Sequence, residues 1–176
     1  MKAQILPYVH SFPAPAVLIG CGTVAKPNLI TCSWFGTVCS EPPMVSVSIR
    51  DNRFSYPLVQ ESGEFTVNIP RSSQLDWVIH CGTKSGRDTQ KFADLGITPV
   101  ACPALDSAPM IEECSLVLAC KVKHQQKLGT HDIFIAEIVK IYCDEELVKP
   151  NGKADCFPED QIVYLDKRYF IPKRLK

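Results

Sequence analysis

The sequence feature that most constrains the fold is a pair of long strand-like segments in the second half of the chain. Segments 115–126 and 131–143 are rich in apolar and β-branched residues, and Leu128-Gly129-Thr130 joins them. A connection this short implies an antiparallel hairpin, because parallel strands need a crossover of about a dozen residues or more. The sequence therefore predicts antiparallel β-structure as a main part of the fold.

Strand patterns also fill the first half of the chain. Segment 44–49 alternates strictly, with Val45, Val47 and Ile49 on one face and serines on the other. This period of two is typical of a half-buried strand. Further strands are predicted over segments 16–23, 28–38, 64–70 and 161–165.

Two helices are predicted between these groups of strands. The first covers 71–82, with one of its early serines as the N-cap and Gly82 as the stop. The second covers 85–96, beginning at Ser85-Gly86 and ending at Gly96. Strands and helices do not alternate regularly, which disfavours a parallel doubly wound sheet. The predicted fold is mainly β with short helices, an antiparallel barrel with the helices packed outside it.

Composition narrows the classes of function. The 176 residues include 19 Lys+Arg and 19 Asp+Glu, so the formal net charge is zero and gives no strong attraction to nucleic acid or anionic lipid. This length suits a single domain over residues 1–176. No apolar run approaches the roughly 18 residues that a membrane helix needs, and prolines interrupt the N-terminal segment where a signal peptide would lie. We therefore expect a cytoplasmic protein without membrane or nucleic-acid partners.

Nine cysteines are spread along the chain. No two lie within three residues of each other, so the paired knuckles of zinc and iron–sulfur sites are missing, and no metal site is predicted. The odd count argues against a disulfide framework. Most of the cysteines lie in apolar runs and are predicted to be small buried hydrophobic residues.

One glycine motif imitates a nucleotide-binding fingerprint. Residues 20–25, Gly-Cys-Gly-Thr-Val-Ala, match G-x-G-x-x-A after a predicted strand. The fingerprint works only where a helix begins at the motif, whereas Lys26-Pro27-Asn28 and a further strand pattern follow here. A turn between two antiparallel strands is the simpler explanation.

Four stretches combine small, polar and aromatic residues in ways that a core does not require: 28–34, 48–56, 82–92 and 129–132. A helix starting at Ser85-Gly86 would offer free amides to a phosphate, with Arg87 and Lys91 adding charge. Each stretch also has a structural explanation, since Ser85-Gly86 could be only a helix cap and Trp34 could be core packing. Likewise, His131 could only stabilise a turn.

Taken together, these stretches resemble a known family. The segments NLITCSW, PPMVSVSIR, GEFTVNIP, SGRDTQKF and GTHD are similar in kind and order to those of the flavin reductase-like proteins, in particular the flavoredoxin branch. The resemblance runs from about residue 8 to about residue 170. It implies an FMN-binding antiparallel split β-barrel. It also implies a homodimer that holds FMN non-covalently near the subunit interface.

The resemblance further implies which residues contact the flavin. The implied cofactor-binding residues are Asn28, Thr31, Cys32, Ser33 and Trp34 in a first segment, Ser48, Ile49, Arg50, Asn52, Ser55 and Tyr56 in a second, and Ser85, Gly86, Arg87 and Lys91 in a third. His131 is the candidate catalytic residue, although Gly129-Thr130-His131 stands where many relatives read Gly-Asp-His. Cys32 occupies a position where relatives often have a small residue such as Ala.

Three functions follow from the resemblance. In the first, electrons pass from NAD(P)H through the flavin to an acceptor such as a free flavin or a ferric chelate. In the second, a flavoredoxin-type carrier exchanges electrons with a protein partner such as a ferredoxin and has no nicotinamide site. The third is a flavin-binding domain without turnover.

Overall fold

The computed structural model describes residues 1–9 and 12–175. Its strands are β1 (Ala14–Pro15), β2 (Val17–Thr23), β3 (Lys26–Cys32), β4 (Phe35–Ser40), β5 (Pro43–Ile49), β6 (Glu64–Asn68), β7 (Pro99–Val100), β8 (Met110–Ile111), β9 (Leu116–Leu128), β10 (His131–Cys143), β11 (Val163–Leu165) and β12 (Arg168–Phe170). Its α-helices are α1 (Ser55–Ser62), α2 (Leu75–Thr83) and α3 (Lys91–Leu95), and 3₁₀ turns cover Ser72–Gln74 and Glu145–Leu147.

Seven strands form one antiparallel sheet in the order β3-β2-β6-β9-β10-β5-β4. The hairpin of β9 and β10 lies near its middle, with Leu128 opposite His131 across the turn. This confirms the predicted hairpin. The edge strands β3 and β4 are consecutive in sequence and are joined by Ser33-Trp34. The prediction of one continuous strand over 28–38 was therefore wrong, because the chain bends at these two residues.

The main hydrophobic core lies against one face of the sheet. Val45, Val47 and Ile49 are all buried, as the alternation of β5 predicts. They pack in one cluster with Phe65 of β6 and Phe134 of β10, both fully buried. Burying such aromatic side chains contributes about 1.5–3 kcal/mol each to the stability of the sheet.

A second cluster joins the helices to the outside of the sheet. Val78 of α2 and Phe92 of α3 pack there with Leu18 of β2 and Leu29 of β3. The strands therefore carry apolar residues on both faces in this region. The prediction of helices packed outside an antiparallel sheet is confirmed.

The two predicted helices differ from the observed ones in their ends. Helix α2 continues through Gly82 to Thr83, so Gly82 does not end it. No side chain caps α2, and the Ser72 hydroxyl donates to the Asp160 carboxylate instead. Helix α3 is only five residues long, so Ser85-Gly86 does not open a helix. The predicted end at Gly96 is confirmed, because Gly96 has a left-handed φ of 63°.

Helix α1 has no counterpart among the sequence predictions. It contains Pro57, which is tolerated because it lies in the first turn, where a backbone N–H has no partner within the helix. Helix α1 follows β5 after a short turn over residues 50–54.

The end of the chain adds a small sheet beside the main one. Strands β11 and β12 form a hairpin, and β11 pairs with β1. The rings of Tyr164 and Tyr169 lie 5.3 Å apart on this hairpin. Their position matters because both line the candidate site described below.

Three further observations concern side chains and membranes. All nine cysteines are free thiols, and Cys21, Cys32, Cys81, Cys102, Cys114 and Cys120 are buried, as predicted for most of them.

Within residues 1–9 and 12–175, no three His, Cys, Asp or Glu side chains are grouped so that they could hold a metal ion. In the same ranges, none of the helices combines the length and apolar character needed to cross a bilayer.

Candidate functional site

A cavity of about 470 Å³ lies beside the Ser33-Trp34 bend that joins β3 to β4. Its walls come from β3 and the Ser33-Trp34 bend, the end of β5 with the following turn, the last turn of α2, and the β11–β12 hairpin. This volume lies in the range of about 300–1,000 Å³ typical of sites for small molecules and cofactors.

The cavity collects predicted site residues from separate parts of the chain. The predicted residues that line it are Thr31, Cys32, Ser33, Trp34, Ser48, Ile49, Arg50 and His131. Strand β5 accounts for part of this convergence, because it pairs with β10 on one side and β4 on the other. That pairing brings the end of β5, the Ser33-Trp34 bend and His131 to one end of the sheet.

Trp34 and His131 form an aromatic pair at the cavity wall. Their ring centroids are 4.3 Å apart and the rings are inclined by 35°. The Thr130 hydroxyl lies 2.9 Å from His131 Nδ1. Burial lowers the pKa of His131, and the nearby charges of Arg50 and Arg53 lower it further. His131 is therefore a neutral imidazole near pH 7 and offers one nitrogen as a donor and the other as an acceptor.

Two cations face the cavity without a carboxylate partner. Arg50 and Arg53 line it, and no ion pair involves either guanidinium in the described part of the chain. The Arg53 backbone N–H donates to the Arg50 carbonyl at 3.0 Å, which folds the two residues into one tight turn. Planar guanidinium groups bind phosphate and carboxylate through paired hydrogen bonds. The chemistry of this turn is therefore suited to an anion.

Cys32 lies against the cavity but is not set up as a nucleophile. Only 6% of the residue is exposed, and burial raises the pKa of its thiol to about 12. Thiolates react, whereas protonated thiols do so poorly. Cys32 therefore acts in this cavity as a small apolar wall.

Contacts between β3 and α2 shape the inner end of the cavity. The Thr31 hydroxyl donates to the Val78 carbonyl at 2.6 Å. A Cβ atom at Gly82 would lie 3.3 Å from the Thr31 Cβ, so the helix packs closely against the strand. This approach brings Gly82 and Thr83 into the cavity lining.

Other predicted residues form a layer behind the cavity. Asn28 Nδ2 donates to Ser55 Oγ at 2.7 Å, and both residues are buried. A Cβ atom at Gly86 would collide with Asn28 Oδ1 and with the Phe54 ring, so only glycine fits there. Since Phe54 follows Arg53, this layer supports the turn that carries the two arginines.

The segment of Ser85, Gly86 and Arg87 is tied to the same turn. Arg87 Nη1 donates to the Asn52 carbonyl at 3.0 Å, and the Arg87 backbone N–H donates to Ser85 Oγ at 3.2 Å. None of Ser85, Gly86, Arg87 or Asn52 lines the cavity. Arg87 is exposed and is therefore available to a ligand only from outside the cavity.

Lys91 and Tyr56 also lie outside the cavity lining. Lys91 is buried, and its ammonium group donates to the carbonyls of Leu29 at 2.6 Å and Cys81 at 3.0 Å. An ammonium group has three N–H donors, and the third has no acceptor in the described part of the chain. The Tyr56 hydroxyl donates to Asp132 Oδ2 at 2.7 Å.

Sequence reasoning missed several residues of the site. Arg53, Gly82 and Thr83 line the cavity and lie in the stretches 48–56 and 82–92, but they were not predicted to contact the ligand. Tyr164 and Tyr169 also line it and were not predicted. The spacing of Arg50 and Arg53 in the polar segment after an alternating strand is a usable signal for a cationic turn. No local signal marks the two tyrosines, because they reach the cavity only through the pairing of β11 with β1.

Comparisons with known proteins agree with this architecture. Residues 9–171 match the flavin reductase like domain. The structure resembles the flavoredoxin of Desulfovibrio vulgaris (Miyazaki F), with a TM-score of 0.89 and 29% identity, covering 100% of this chain and 96% of that one. The flavoredoxin from Methanosarcina acetivorans gives a TM-score of 0.89 and 28% identity, covering 100% and 94% of the two chains.

A third similarity is to the FMN reductase (NADH) RutF of Pseudomonas syringae pv. syringae, which is 32% identical over 163 residues, 84% of this chain and 80% of the relative. The predicted fold, an antiparallel split β-barrel, is confirmed by these structural similarities. Because the domain match covers most of the chain, the protein belongs to the flavin reductase-like family.

Proposed function

We propose that the protein binds FMN non-covalently in the cavity and transfers electrons from NAD(P)H through it to an acceptor, a free flavin or a ferric chelate. The observation that carries this proposal is the pair of guanidinium groups, Arg50 and Arg53, that face the cavity without carboxylate partners. An anionic ligand would supply the missing charge.

The residues of the cavity fit the chemistry of FMN. A phosphate monoester carries roughly −1.5 to −2 charges near pH 7, which two arginines neutralise. The hydroxyl groups of Ser33, Ser48 and Thr83 add hydrogen-bonding partners. The Trp34–His131 pair adds an aromatic surface against which a ring system can pack. The name of the similar RutF protein, an FMN reductase (NADH), supports the same ligand.

The chain's own residues take distinct roles in this proposal. Arg50 and Arg53 hold the phosphate, while Trp34 and His131 lie beside the ring system. The small, protonated side chain of Cys32 gives the ring room and excludes water. When bound, FMN supplies a centre that accepts two electrons from a nicotinamide. The neutral His131 donates or accepts a hydrogen bond at the ring without adding charge.

The predicted residues behind the cavity have supporting roles. Asn28, Ser55 and Gly86 hold the arginine turn, and Arg87 ties it to the segment before α3. The unused N–H of Lys91 makes it a further candidate donor to the phosphate side of the flavin.

Two experiments test the proposal in sequence. The purified protein should show the visible absorption bands of FMN, and heat or acid should release the flavin. Anaerobic stopped-flow mixing with NADH or NADPH should then bleach these bands rapidly. A protein that neither carries nor takes up FMN would contradict the proposal.

A second candidate function is supported by the similarity to flavoredoxins over the whole chain. In it, bound FMN exchanges electrons with a redox protein such as a ferredoxin, and no nicotinamide site exists. The same stopped-flow experiment separates the two functions. Slow bleaching by NADH and NADPH with rapid bleaching by reduced ferredoxin would favour the carrier, and bleaching by neither would favour a flavin-binding domain without turnover.

We also propose a homodimer with the flavin near the subunit interface. Several large apolar side chains are exposed in the single chain, among them Tyr8, Phe12 and Trp34. These three residues also line a second cavity of about 650 Å³, and Trp34 borders both cavities. Exposed apolar surface of this kind is typical of an interface. Light scattering of the FMN-bound protein at micromolar concentration should give twice the mass of one chain, and a monomer would contradict the proposal.

A further inference from the structure

We infer that Asp132 is a positioning residue that holds both ends of the arginine turn, residues 50–54, so that Arg50 and Arg53 face the cavity. This inference rests on the proposed function, because it concerns the phosphate side of the proposed FMN site. Asp132 itself does not line the cavity.

The first end of the arginine turn is held through the main chain. Asp132 on β10 pairs with Ile49, the last residue of β5. Arg50 follows Ile49 directly, so the register of this pair fixes where the turn begins. His131 precedes Asp132, and successive side chains on a strand point to opposite faces. His131 therefore reaches the cavity while Asp132 is buried, with 5% of the residue exposed.

The second end of the arginine turn is held through the Asp132 side chain. Asp132 Oδ2 accepts a hydrogen bond from the Tyr56 hydroxyl at 2.7 Å. Tyr56 lies in the first turn of α1, and its backbone N–H donates to the Arg53 carbonyl at 3.0 Å. One residue thus anchors the chain on both sides of the two arginines.

A glutamine completes the network around the carboxylate. Gln125 Nε2 lies 2.8 Å from Asp132 Oδ2 and 2.8 Å from the Tyr56 hydroxyl oxygen. These hydrogen bonds from Gln125 and Tyr56 lower the pKa of Asp132. The carboxylate stays charged near pH 7 and remains a strong acceptor for the tyrosine.

The direction in which FMN affinity changes when the Asp132 carboxylate is removed distinguishes a positioning role from a purely electrostatic one. A negative charge near the arginines weakens the binding of an anion, so removing it without moving the turn would strengthen FMN binding. If Asp132 positions the turn, removing its carboxylate weakens FMN binding instead. The two roles predict opposite changes in the dissociation constant for FMN.

The test compares FMN with riboflavin, which lacks the phosphate, by flavin fluorescence quenching on the full chain. In Asp132→Ala and Tyr56→Phe, we expect the affinity for FMN to fall about tenfold and that for riboflavin to change less than about twofold. Asp132→Asn keeps an oxygen acceptor for Tyr56 and should lose less FMN affinity than Asp132→Ala. The double variant Asp132→Ala/Tyr56→Phe should lose little more FMN affinity than either single variant, because both substitutions break the same hydrogen bond.

Glu137→Gln is the matched control, because Glu137 is another β10 carboxylate and is paired with Lys123 at 2.9 Å instead of with α1. It should leave the ratio of FMN to riboflavin affinity unchanged. Tyr56→Phe keeps the test valid if Asp132→Ala fails to fold. Unchanged or tighter FMN binding in Tyr56→Phe, or an equal loss for riboflavin, would overturn the inference. A wild-type protein that binds no FMN would instead overturn the proposed function itself.

Discussion

Glu64 and the arginine turn show two ways in which this protein handles charge. Glu64 on β6 is 3% exposed, and its carboxylate accepts hydrogen bonds from Ser107 Oγ and from the backbone N–H groups of Asp106, Ser107 and Ala108. Arg50 and Arg53 are exposed at the cavity, and neither forms an ion pair in the described part of the chain. The Glu64 carboxylate has its hydrogen-bond partners within the protein, whereas the guanidinium groups of Arg50 and Arg53 are available to a ligand.

Glu64 and the arginine turn therefore have different roles in the protein. A buried charge requires partners, because an unpaired one costs several kcal/mol in desolvation. The partners of Glu64 all come from residues 106–108, so the carboxylate fastens this loop to the sheet. The exposed arginines need no partner for folding and gain one when an anion binds. Substitutions at Glu64 should therefore change stability, and substitutions at the arginines should change binding.

Removing both arginines should have the largest effect. In Arg50→Ala/Arg53→Ala we expect FMN binding to weaken by at least about 100-fold, since two charge-assisted contacts of about 1.5–3 kcal/mol each are lost. The melting temperature of the flavin-free protein should stay nearly constant. Isothermal titration with FMN and thermal unfolding measure the two quantities.

The control for this variant is Lys140→Ala/Lys153→Ala, which removes two exposed lysines that do not line the cavity. It should retain FMN affinity within about twofold, because exposed charges at a distance are largely screened by salt. An equal loss in both double variants would show that net charge, and not the arginine turn, attracts the ligand.

Glu64→Gln should destabilise the fold without a matching loss of binding. The amide keeps the volume but removes the charge that accepts these hydrogen bonds, so we expect a loss of about 2 kcal/mol in the free energy of unfolding. Urea unfolding of the flavin-free protein measures this loss, with Glu61→Gln on the exposed side of α1 as the control. A loss of FMN affinity at temperatures where Glu64→Gln is folded would contradict the expectation that Glu64 affects stability and not binding.

The pH dependence of stability should follow from the same carboxylate. Burial alone would raise the pKa of Glu64, but the hydrogen bonds from Ala108, Ser107 and Asp106 outweigh it and leave the pKa below its usual value. The stabilisation from Glu64 is then fully present above the pKa of the unfolded chain and is lost as the pH falls through the folded value. Urea unfolding between pH 7 and pH 3 should show a smaller acid loss in Glu64→Gln than in the wild type, and equal losses would contradict the assignment.

Cys32→Ala should change little. The thiol is protonated and packed at the cavity wall, so removing its sulfur leaves a small gap that costs about 1 kcal/mol of stability. FMN should stay bound, with electron-transfer rates within about threefold. A long-wavelength absorbance that vanishes in Cys32→Ala, together with a loss of rate above tenfold, would show instead that the thiolate interacts with the flavin.

Arg87→Ala should lower the FMN affinity only about twofold. Arg87 donates to the Asn52 carbonyl and lies outside the cavity lining, so it acts on the ligand only through the arginine turn. Titration with FMN and riboflavin tests this directly. A loss confined to FMN and as large as that of Arg53→Ala would place the phosphate beside residues 85–87.

Local patterns were sufficient to predict most of the sheet. The alternation of Val45, Val47 and Ile49 and the two-residue turn after Leu128 act between neighbouring residues, so the sequence displays them directly. The helix predicted to begin at Ser85-Gly86 was wrong, because the conformation of segment 85–89 depends on distant residues. Gly86 packs against Asn28 and Phe54, and this contact replaces the expected helix start.

The candidate site was predictable only in part for the same reason. Strand β3 pairs with β2 across the turn that the sequence predicts. Strand β5 pairs with β10, which lies far along the chain, and no local pattern predicts this pairing. Asp132 lies in the GTHD segment that the sequence marks, but no local pattern indicates its hydrogen bond to Tyr56. No motif marks Tyr164, which reaches the cavity only through contacts made across the fold. The resemblance supplied contact residues such as Asn28 and Ser55, whose hydrogen bond to each other only the structure shows.

The central claim is that unpaired arginines recognise a phosphorylated flavin, and the ratio of FMN to riboflavin affinity of the wild-type protein tests it most directly. Fluorescence quenching at about 0.1 M salt should give FMN a dissociation constant at least about 100-fold lower than that of riboflavin, since two charge-assisted contacts to phosphate distinguish the ligands. Raising the salt concentration should narrow this ratio. Equal affinities for FMN and riboflavin would contradict the account.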